Sequence, residues 1–267
     1  GGDFTGRIGW VKSNRRNAEP GQYLGPVTIT PDCRVVRTVI WGQPVYFTLT
    51  NPKDVIQRKH QSGAFYEPEE LEIIRRWCPP GAVFADIGAN IGNHSLFALK
   101  FLHVARLIPF EPNPVAIDIL TSNLALNGEL HRCDLTHLGF GLSDVAQTGL
   151  QIELDQPNKN LGGGRLVEGG DLAVIRGDDA LAGTHVDFIK IDVEGMEMRV
   201  LRGLAQTIAA SRPVFFIEVD EANRAEFLAW VGEAGYVIRA TYRRYAVNEN
   251  FLLVPSEAAP HAEETAR

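Results

Sequence analysis

The stretch that most constrains the fold runs Val83-Phe-Ala-Asp-Ile-Gly-Ala-Asn-Ile-Gly-Asn-His-Ser95. Val83, Phe84 and Ala85 form an apolar run of the kind a buried parallel strand shows, and Asp86 closes it with a charge. Gly88 and Gly92 lack a Cβ, so a ligand can lie against the backbone there. Asn90, between them, tolerates left-handed backbone better than most residues. Asn93 or Ser95 is placed to cap the helix that follows, whose free N–H groups face the turn. A strand, a tight turn and a helix start in this order predict a nucleotide-type pocket at the carboxyl end of the strand.

The rest of the chain agrees with that unit. From Val83 onward, strand and helix patterns alternate, which predicts an α/β fold with a mostly parallel sheet covered on both faces. Strands are expected at Val83–Asp86, Leu107–Phe110, Leu138–Leu142, Asp187–Asp192, Val214–Val219, Tyr236–Ala240 and Phe251–Val254, the last two pairing antiparallel at one edge. Helices are expected at Pro114–Leu126, Met196–Ala210 and Ala222–Ala234. An extra ribbon, Leu150–Leu154 with Leu172–Ile175, interrupts the order and contains the glycine-rich loop Asn160–Gly164. Before the turn, Val35–Ile40 and Val45–Leu49 alternate around Gly42-Gln43-Pro44 as a hairpin. Asn51-Pro52 reads as one helix start and Glu67-Pro68 as another, the second helix ending before Pro79-Pro80. The expected organisation is a small N-terminal β-rich appendage over residues 1–62, the first 25 a flexible arm. The main domain follows over 63–255, and a disordered tail over 256–267.

The net charge of −7 over 267 residues argues against non-specific nucleic-acid binding, which needs clustered Lys and Arg. No apolar run approaches the ~18 residues of a membrane span, and no signal peptide is visible. The chain begins Gly-Gly-Asp, as a fragment or a processed chain would. Cys33, Cys78 and Cys133 are few, odd in number and scattered, which predicts reduced thiols and a cytoplasmic setting.

Spacing selects the ligand. A dinucleotide fingerprint would place glycines where Asn90 and Asn93 stand, and a phosphate loop would need Gly-Lys-Ser/Thr, which does not follow. The pattern Asp86-x-Gly88-x-Asn90-x-Gly92 resembles the first motif of class I S-adenosylmethionine-dependent methyltransferases, with Asn90 in place of the middle glycine. Glu111 ends the next expected strand, where a carboxylate can accept both ribose hydroxyls. Gly139-Phe-Gly-Leu-Ser-Asp144 ends the third strand, where Ser143, Asp144 or backbone N–H groups could read an adenine edge. In Asp187-Phe-Ile-Lys-Ile-Asp-Val-Glu-Gly195, strand period puts Lys190, Asp192 and Glu194 on one side. A charged row on a central strand is costly unless paired or facing a site. Asp192 is therefore expected at the pocket, Glu194 at its lip and Lys190 pairing deeper in. Glu218 adds a carboxylate on the neighbouring strand. His94 beside the turn could serve as a base near neutral pH, and the remaining histidines show no ligand spacing.

Together these residues resemble the FkbM family of S-adenosylmethionine-dependent methyltransferases. The resemblance rests on Phe65-Tyr-Glu-Pro68, Asp86-Ile-Gly-Ala-Asn-Ile-Gly92, Ile189-Lys-Ile-Asp-Val-Glu-Gly195 and Glu218, and covers about three quarters of the chain. It implies a Rossmann-like class I methyltransferase sheet and methyl transfer to oxygen, commonly a hydroxyl of a sugar, polyketide or other specialised metabolite. It also implies that Tyr66 and Glu67 close over the cofactor or acceptor. The expected cofactor-binding set is Tyr66, Glu67, Asp86, Gly88, Asn90, Gly92, Asn93, Glu111, Ser143, Asp144 and Asp192. The expected catalytic set is Asp192, Glu194 and His94, with no metal and a small hydroxylated acceptor. Rival readings are a catechol-type enzyme holding Mg²⁺ on Asp192, Glu194 and Glu218, a binding module without chemistry, and, weakest, an NAD-dependent oxidoreductase.

Overall fold

The computed structural model describes residues 33–154, 164–244 and 246–258. The expected N-terminal arm, most of the glycine-rich loop and the end of the tail lie outside them. In chain order the elements are β1 (Arg34–Ile40), β2 (Gln43–Leu49), α1 (Val55–Gln61), α2 (Pro68–Trp77), β3 (Val83–Ile87), α3 (Asn93–Phe101), β4 (Arg106–Phe110), α4 (Pro114–Leu126) and β5 (Phe140–Ser143). There follow β6 (Gln147–Leu154), β7 (Gly164–Glu168), β8 (Leu172–Arg176), α5 (Gly177–Ala180), β9 (Phe188–Ile191), α6 (Glu197–Gly203) and α7 (Ala205–Ser211). The chain closes with β10 (Val214–Asp220), α8 (Arg224–Glu233), β11 (Tyr236–Tyr242) and β12 (Asn248–Pro255).

Six strands form the central sheet in the order β11-β12-β10-β9-β3-β4. β4, β3, β9 and β10 run parallel, and β12 is antiparallel to both its neighbours. The antiparallel strand is thus one place in from the edge expected for it. Phe251, Leu252, Leu253 and Val254 are all buried, and such a run needs cover on both faces and both sides. The chain leaves β3 toward β4 and returns at β9 on the other side, so strand order reverses between β3 and β9. Ligands bind at such a reversal, outside the carboxyl ends.

Two expectations change here. The third strand does not join the central sheet: β5 pairs with β8 in a second sheet, ordered β5-β8-β6-β7. β6 pairs with β7, a strand within the stretch expected only to connect the two halves of the ribbon. The long helix expected over Met196–Ala210 breaks into α6 and α7. A Cβ on Gly203 would stand 2.0 Å from the Ser143 carbonyl oxygen, so α6 ends in backbone contact with β5.

Local chemistry explains the N-terminal part. β1 and β2 meet at Trp41 and Gly42, both with positive φ (47° and 78°), the two-residue turn that suits strand twist. Gly42-Gln43-Pro44 is not itself the turn, because Gln43 already pairs with Ile40. α1 starts later than Asn51-Pro52, where Asp54 accepts from the N–H groups of Ile56 and Gln57. The hairpin and α2 share one core with the sheet: Val45, Phe47, Phe65 and Leu71 join Phe84, Leu107 and Phe188 on one face. Asn127 in the chain after α4 donates to the Tyr46 carbonyl and accepts from its N–H, and Asn123 of α4 accepts from the N–H of Thr48. The other face buries Ala85, Ile108, Ile189 and Phe215 against α6, α7 and α8. At the far end Glu257 pairs with Arg212 at 2.7 Å, so the chain just past Pro255 is still anchored. Among the described residues, no helix is long and apolar enough to cross a membrane.

Candidate active site

At the carboxyl ends of β3, β4 and β9 opens a pocket. The turn after β3 forms its floor. Gly88 and Asn90 both have positive φ (76° and 49°). A Cβ on Gly88 would lie 1.8 Å from the Asp192 carbonyl oxygen. The glycine is therefore required by the close approach of two strand ends as well as by its φ. Gly92, expected to face the ligand, lies off the pocket wall; it also has positive φ (83°), and an added Cβ would press on Leu120 of α4 at 3.2 Å. Glu111, at the end of β4, lines the pocket. Its two oxygens accept from the N–H groups of Asn90 and Asn113, each at 2.8 Å. Burial pushes its carboxyl up to about 7, against those two hydrogen bonds. Asn90 Oδ1 is buried beside it without a partner.

The charged row of β9 faces α2 and α3. Register sets Lys190 beside Asp86, with Nζ 3.2 Å from Asp86 Oδ1 and 3.6 Å from Asp192 Oδ2. Nζ also donates to the Gly88 carbonyl at 2.8 Å. Burial alone would lower the Lys190 ammonium, but the Asp86 and Asp192 carboxylates outweigh it and hold it charged. Asp86 is fully buried and accepts from Ser95 Oγ at 2.6 Å. It locks β3, β9 and α3 together and does not line the pocket. Asp192 and Glu194 do line it. With Glu218 they form a trio whose oxygens lie within 4.8 Å of one another. Burial, then the charges of Asp192, Glu67 and Glu194, push Glu218 up to about 10, so it keeps a proton at neutral pH.

A strap over Phe65–Glu67 covers this face. Asn93 holds it by accepting from the Tyr66 N–H at 2.9 Å and donating to the Tyr66 carbonyl at 3.0 Å. Its Oδ1 also lies 3.0 Å from Nε2 of buried His60. Asn93 is thus a structural tie and lies off the pocket wall, and it is not the helix cap, since Gly92 occupies the cap position. The Tyr66 ring lies under the Arg244 guanidinium, 5.8 Å away. Glu67, at φ 57°, begins α2. Burial and then Glu70 and Asp192 push it up to about 9.

Of the expected residues, the structure brings Gly88, Asn90, Glu111, Asp192 and Glu194 to the pocket wall. Ser143 and Asp144 do not reach it. Ser143 is buried and its Oγ donates to Asp144, while Asp144 pairs with Arg199 and Arg202 of α6 at 2.9 and 3.2 Å. His94 is also off the wall. Burial, reinforced by Lys190, lowers its imidazole to about 4, which makes it a poor base near neutral pH. Sequence reasoning missed Ile152 of β6 and Leu166 of β7, which roof the pocket from the second sheet, and Met196. It also missed Glu70, whose signal was its place one turn beyond Glu67 on the same helix face.

Comparison with known proteins gives the family. The family model described as the methyltransferase FkbM domain matches residues 86–238. The chain is 29% identical over 164 residues to methyltransferase sdnD of Sordaria araneosa, a match covering 47% of this chain and 61% of that protein. It is 25% identical over 178 residues to hexuronic acid methyltransferase AglP of Haloferax volcanii, covering 62% of this chain and 67% of that one. The chain therefore spans about two thirds or less of the length of these relatives. Among solved structures, methyltransferase FkbM from Methylobacillus flagellatus KT aligns with a TM-score of 0.46 and 17% identity, over 64% of this chain and 43% of that chain.

Proposed function

The chain belongs to the FkbM methyltransferase family, whose methyl donor is S-adenosylmethionine, and from that premise we propose that it methylates a hydroxyl oxygen of a small molecule. The acceptor class we propose is a sugar, polyketide or other specialised metabolite, with sugar acids first. The observation that carries the reading is the carboxylate trio Asp192, Glu194 and Glu218, of which Asp192 and Glu194 line the pocket. It offers a proton acceptor at the place where a hydroxyl would enter. The name of AglP, a hexuronic acid methyltransferase, supports the acceptor class.

The residues present fit the cofactor. Buried Asn90 Oδ1 is an acceptor without a partner at the pocket. A carboxylate has about four lone-pair sites, so Glu111 can accept ribose hydroxyls in addition to its two backbone N–H groups. Pro112, Leu142, Ile152, Leu166 and Met196 give the apolar wall a heterocycle needs. When bound, S-adenosylmethionine supplies an electrophilic methyl group on a cationic sulfur. The acidic wall favours such a cation. In this reading Glu218, protonated, donates to Asp192 and holds it in place, and Glu194 takes the hydroxyl proton. The chain's main contribution is position, since holding the acceptor oxygen close and in line supplies much of the barrier reduction.

A second reading rests on the separation within that trio. Three oxygen ligands within 4.8 Å also suit Mg²⁺, and turnover lost to a chelator and restored by Mg²⁺ would establish it. The test of the main reading is a panel of hydroxylated metabolites, uronic acids first, with methyl-labelled cofactor. The expected result is label in a methyl ether; label only in a methyl ester would move the acceptor from the hydroxyl to the carboxylate and overturn the reading. Label on nitrogen or carbon, or only in an added oligonucleotide, would sink it.

A further inference from the structure

A second group of ligand-type side chains lies between α2 and α3, and none of its members lines the pocket. Glu67 and Glu70, one turn apart at the start of α2, meet His94 of α3. Each offers one atom, and the three atoms lie within 4.8 Å of one another. An acidic cluster alone would carry nothing, but His94 adds an independent observation. It is 7% exposed, and its Nε2 is buried with no hydrogen-bond partner. The Glu67 Oε2 oxygen stands 3.9 Å from that nitrogen, beyond hydrogen-bond reach. A buried nitrogen left without a partner destabilises the fold, and the packing around His94 aims it at two carboxylates.

We propose that Glu67, Glu70 and His94 form a binding site for one divalent first-row transition-metal ion of the Zn²⁺ type. The donor set is one imidazole nitrogen and two carboxylates, which such ions accept readily. Mg²⁺ and Ca²⁺ prefer oxygen-only sets. Metal–ligand bonds near 2.1 Å place neighbouring ligand atoms about 3–4 Å apart, so the observed His94–Glu67 separation needs little closure. The nearby cations leave room for the ion. Arg244 contacts Glu70 through Oε1 at 3.3 Å, and that carboxylate has a second oxygen. Lys190 is committed to Asp86 and Asp192. An ion here would join the first turn of α2 to α3, fastening the Tyr66–Glu67 strap from a second side. This site does not depend on the acceptor proposed above, and it is distinct from the oxygen-only trio of Asp192, Glu194 and Glu218.

The test uses the full chain stripped with a chelator and titrated with Zn²⁺, Mn²⁺ or Mg²⁺, without cofactor, by calorimetry and thermal melting. Co²⁺ gives an independent visible spectrum for nitrogen-containing ligation. One equivalent of Zn²⁺ should bind more tightly than Mg²⁺ and raise the melting temperature. His94→Gln and Glu67→Gln should each weaken Zn²⁺ by about 100-fold or more, beyond what loss of a supporting partner costs. Glu218→Gln should leave Zn²⁺ binding unchanged. If His94→Gln does not fold, Glu67→Gln and the Co²⁺ spectrum decide. The proposal is overturned if folded wild type binds no Zn²⁺, if binding survives His94→Gln and Glu67→Gln, or if Glu218→Gln abolishes it.

Discussion

On one side of the pocket, Glu111 ends β4 with an oxygen on each of two backbone N–H groups. Its position is set by the turn it binds, and no side chain has to move to keep it there. On the other side, Asp192, Glu194 and Glu218 face one another. Lys190, the ammonium nearest them, is shared with Asp86. Asp192 is held by that ammonium, while burial and the neighbouring charges keep a proton on Glu218. The first arrangement suits a ligand bound the same way at every turnover. The second suits a step in which charge changes, because like charges in a buried site have separated affinities for protons.

The strongest attack on that contrast is Glu194→Gln. We predict a fall in turnover of about 10²–10⁴-fold, the usual range for a lost general base, with cofactor affinity nearly unchanged. Asp192→Asn should damage both quantities. Near-normal turnover in Glu194→Gln, measured by label transfer, would place the proton acceptor elsewhere and erase the functional difference between the two sides.

Next comes Gly88, where the two sides touch. Because its Cβ would strike the Asp192 carbonyl, Gly88→Ala should lower stability by about 3 kcal/mol, combining overpacking with positive-φ strain. Urea unfolding measures this. A variant of unchanged stability that loses only cofactor affinity would show that the glycine serves the ligand alone.

Glu111 comes third. Glu111→Ala should weaken cofactor binding by about 1.5–3 kcal/mol, the scale of a charged hydrogen bond, and Glu111→Gln by less. The sign with pH follows from its raised carboxyl. As pH rises through about 7 the group ionises and becomes a full acceptor, so calorimetric affinity should rise over that interval in wild type and stay flat in Glu111→Gln. The same shift favours the fold at low pH: the stability it confers is complete below the unfolded pKa of about 4.3 and is lost as pH climbs through about 7.

The smallest expected effect belongs to Asp144, one of the groups that the sequence offers for reading the base. Its partners Arg199 and Arg202 are substantially exposed. Asp144→Asn should cost no more than about 1 kcal/mol of stability, as surface pairs do, and leave cofactor affinity alone. A large loss of affinity would return Asp144 to the pocket.

Legibility divides along similar lines. The turn, Glu111 and the β9 row are readable because each depends on spacing within one or two consecutive elements. The partners of Ser143 and Asp144 are not, because Asp144 is claimed by α6, 55 residues onward. Asp86 carries the first motif, yet its neighbour is set by the parallel register with Lys190, 104 positions later in the sequence. The second sheet is hidden for a related reason. β7 is short, follows glycines and shows half-buried positions, so no periodicity marks it, and its role as roof appears only once β6 is beside it. The central strands show through because cover on both faces forces an unbroken apolar run.

The amide side chains of Asn123 and Asn127 carry a consequence of their own. Among the described residues, β2 has β1 on one flank and no strand on the other. A bare flank of that kind invites another chain to add itself. Here the backbone of Tyr46 and Thr48 is already engaged by Asn127 and Asn123, which imitate the rungs of an absent strand. A helix and the turn that follows it thus act as a stopper against end-on growth. That flank of the hairpin is thereby closed to an added strand, where open backbone groups would recruit neighbours during synthesis or heating.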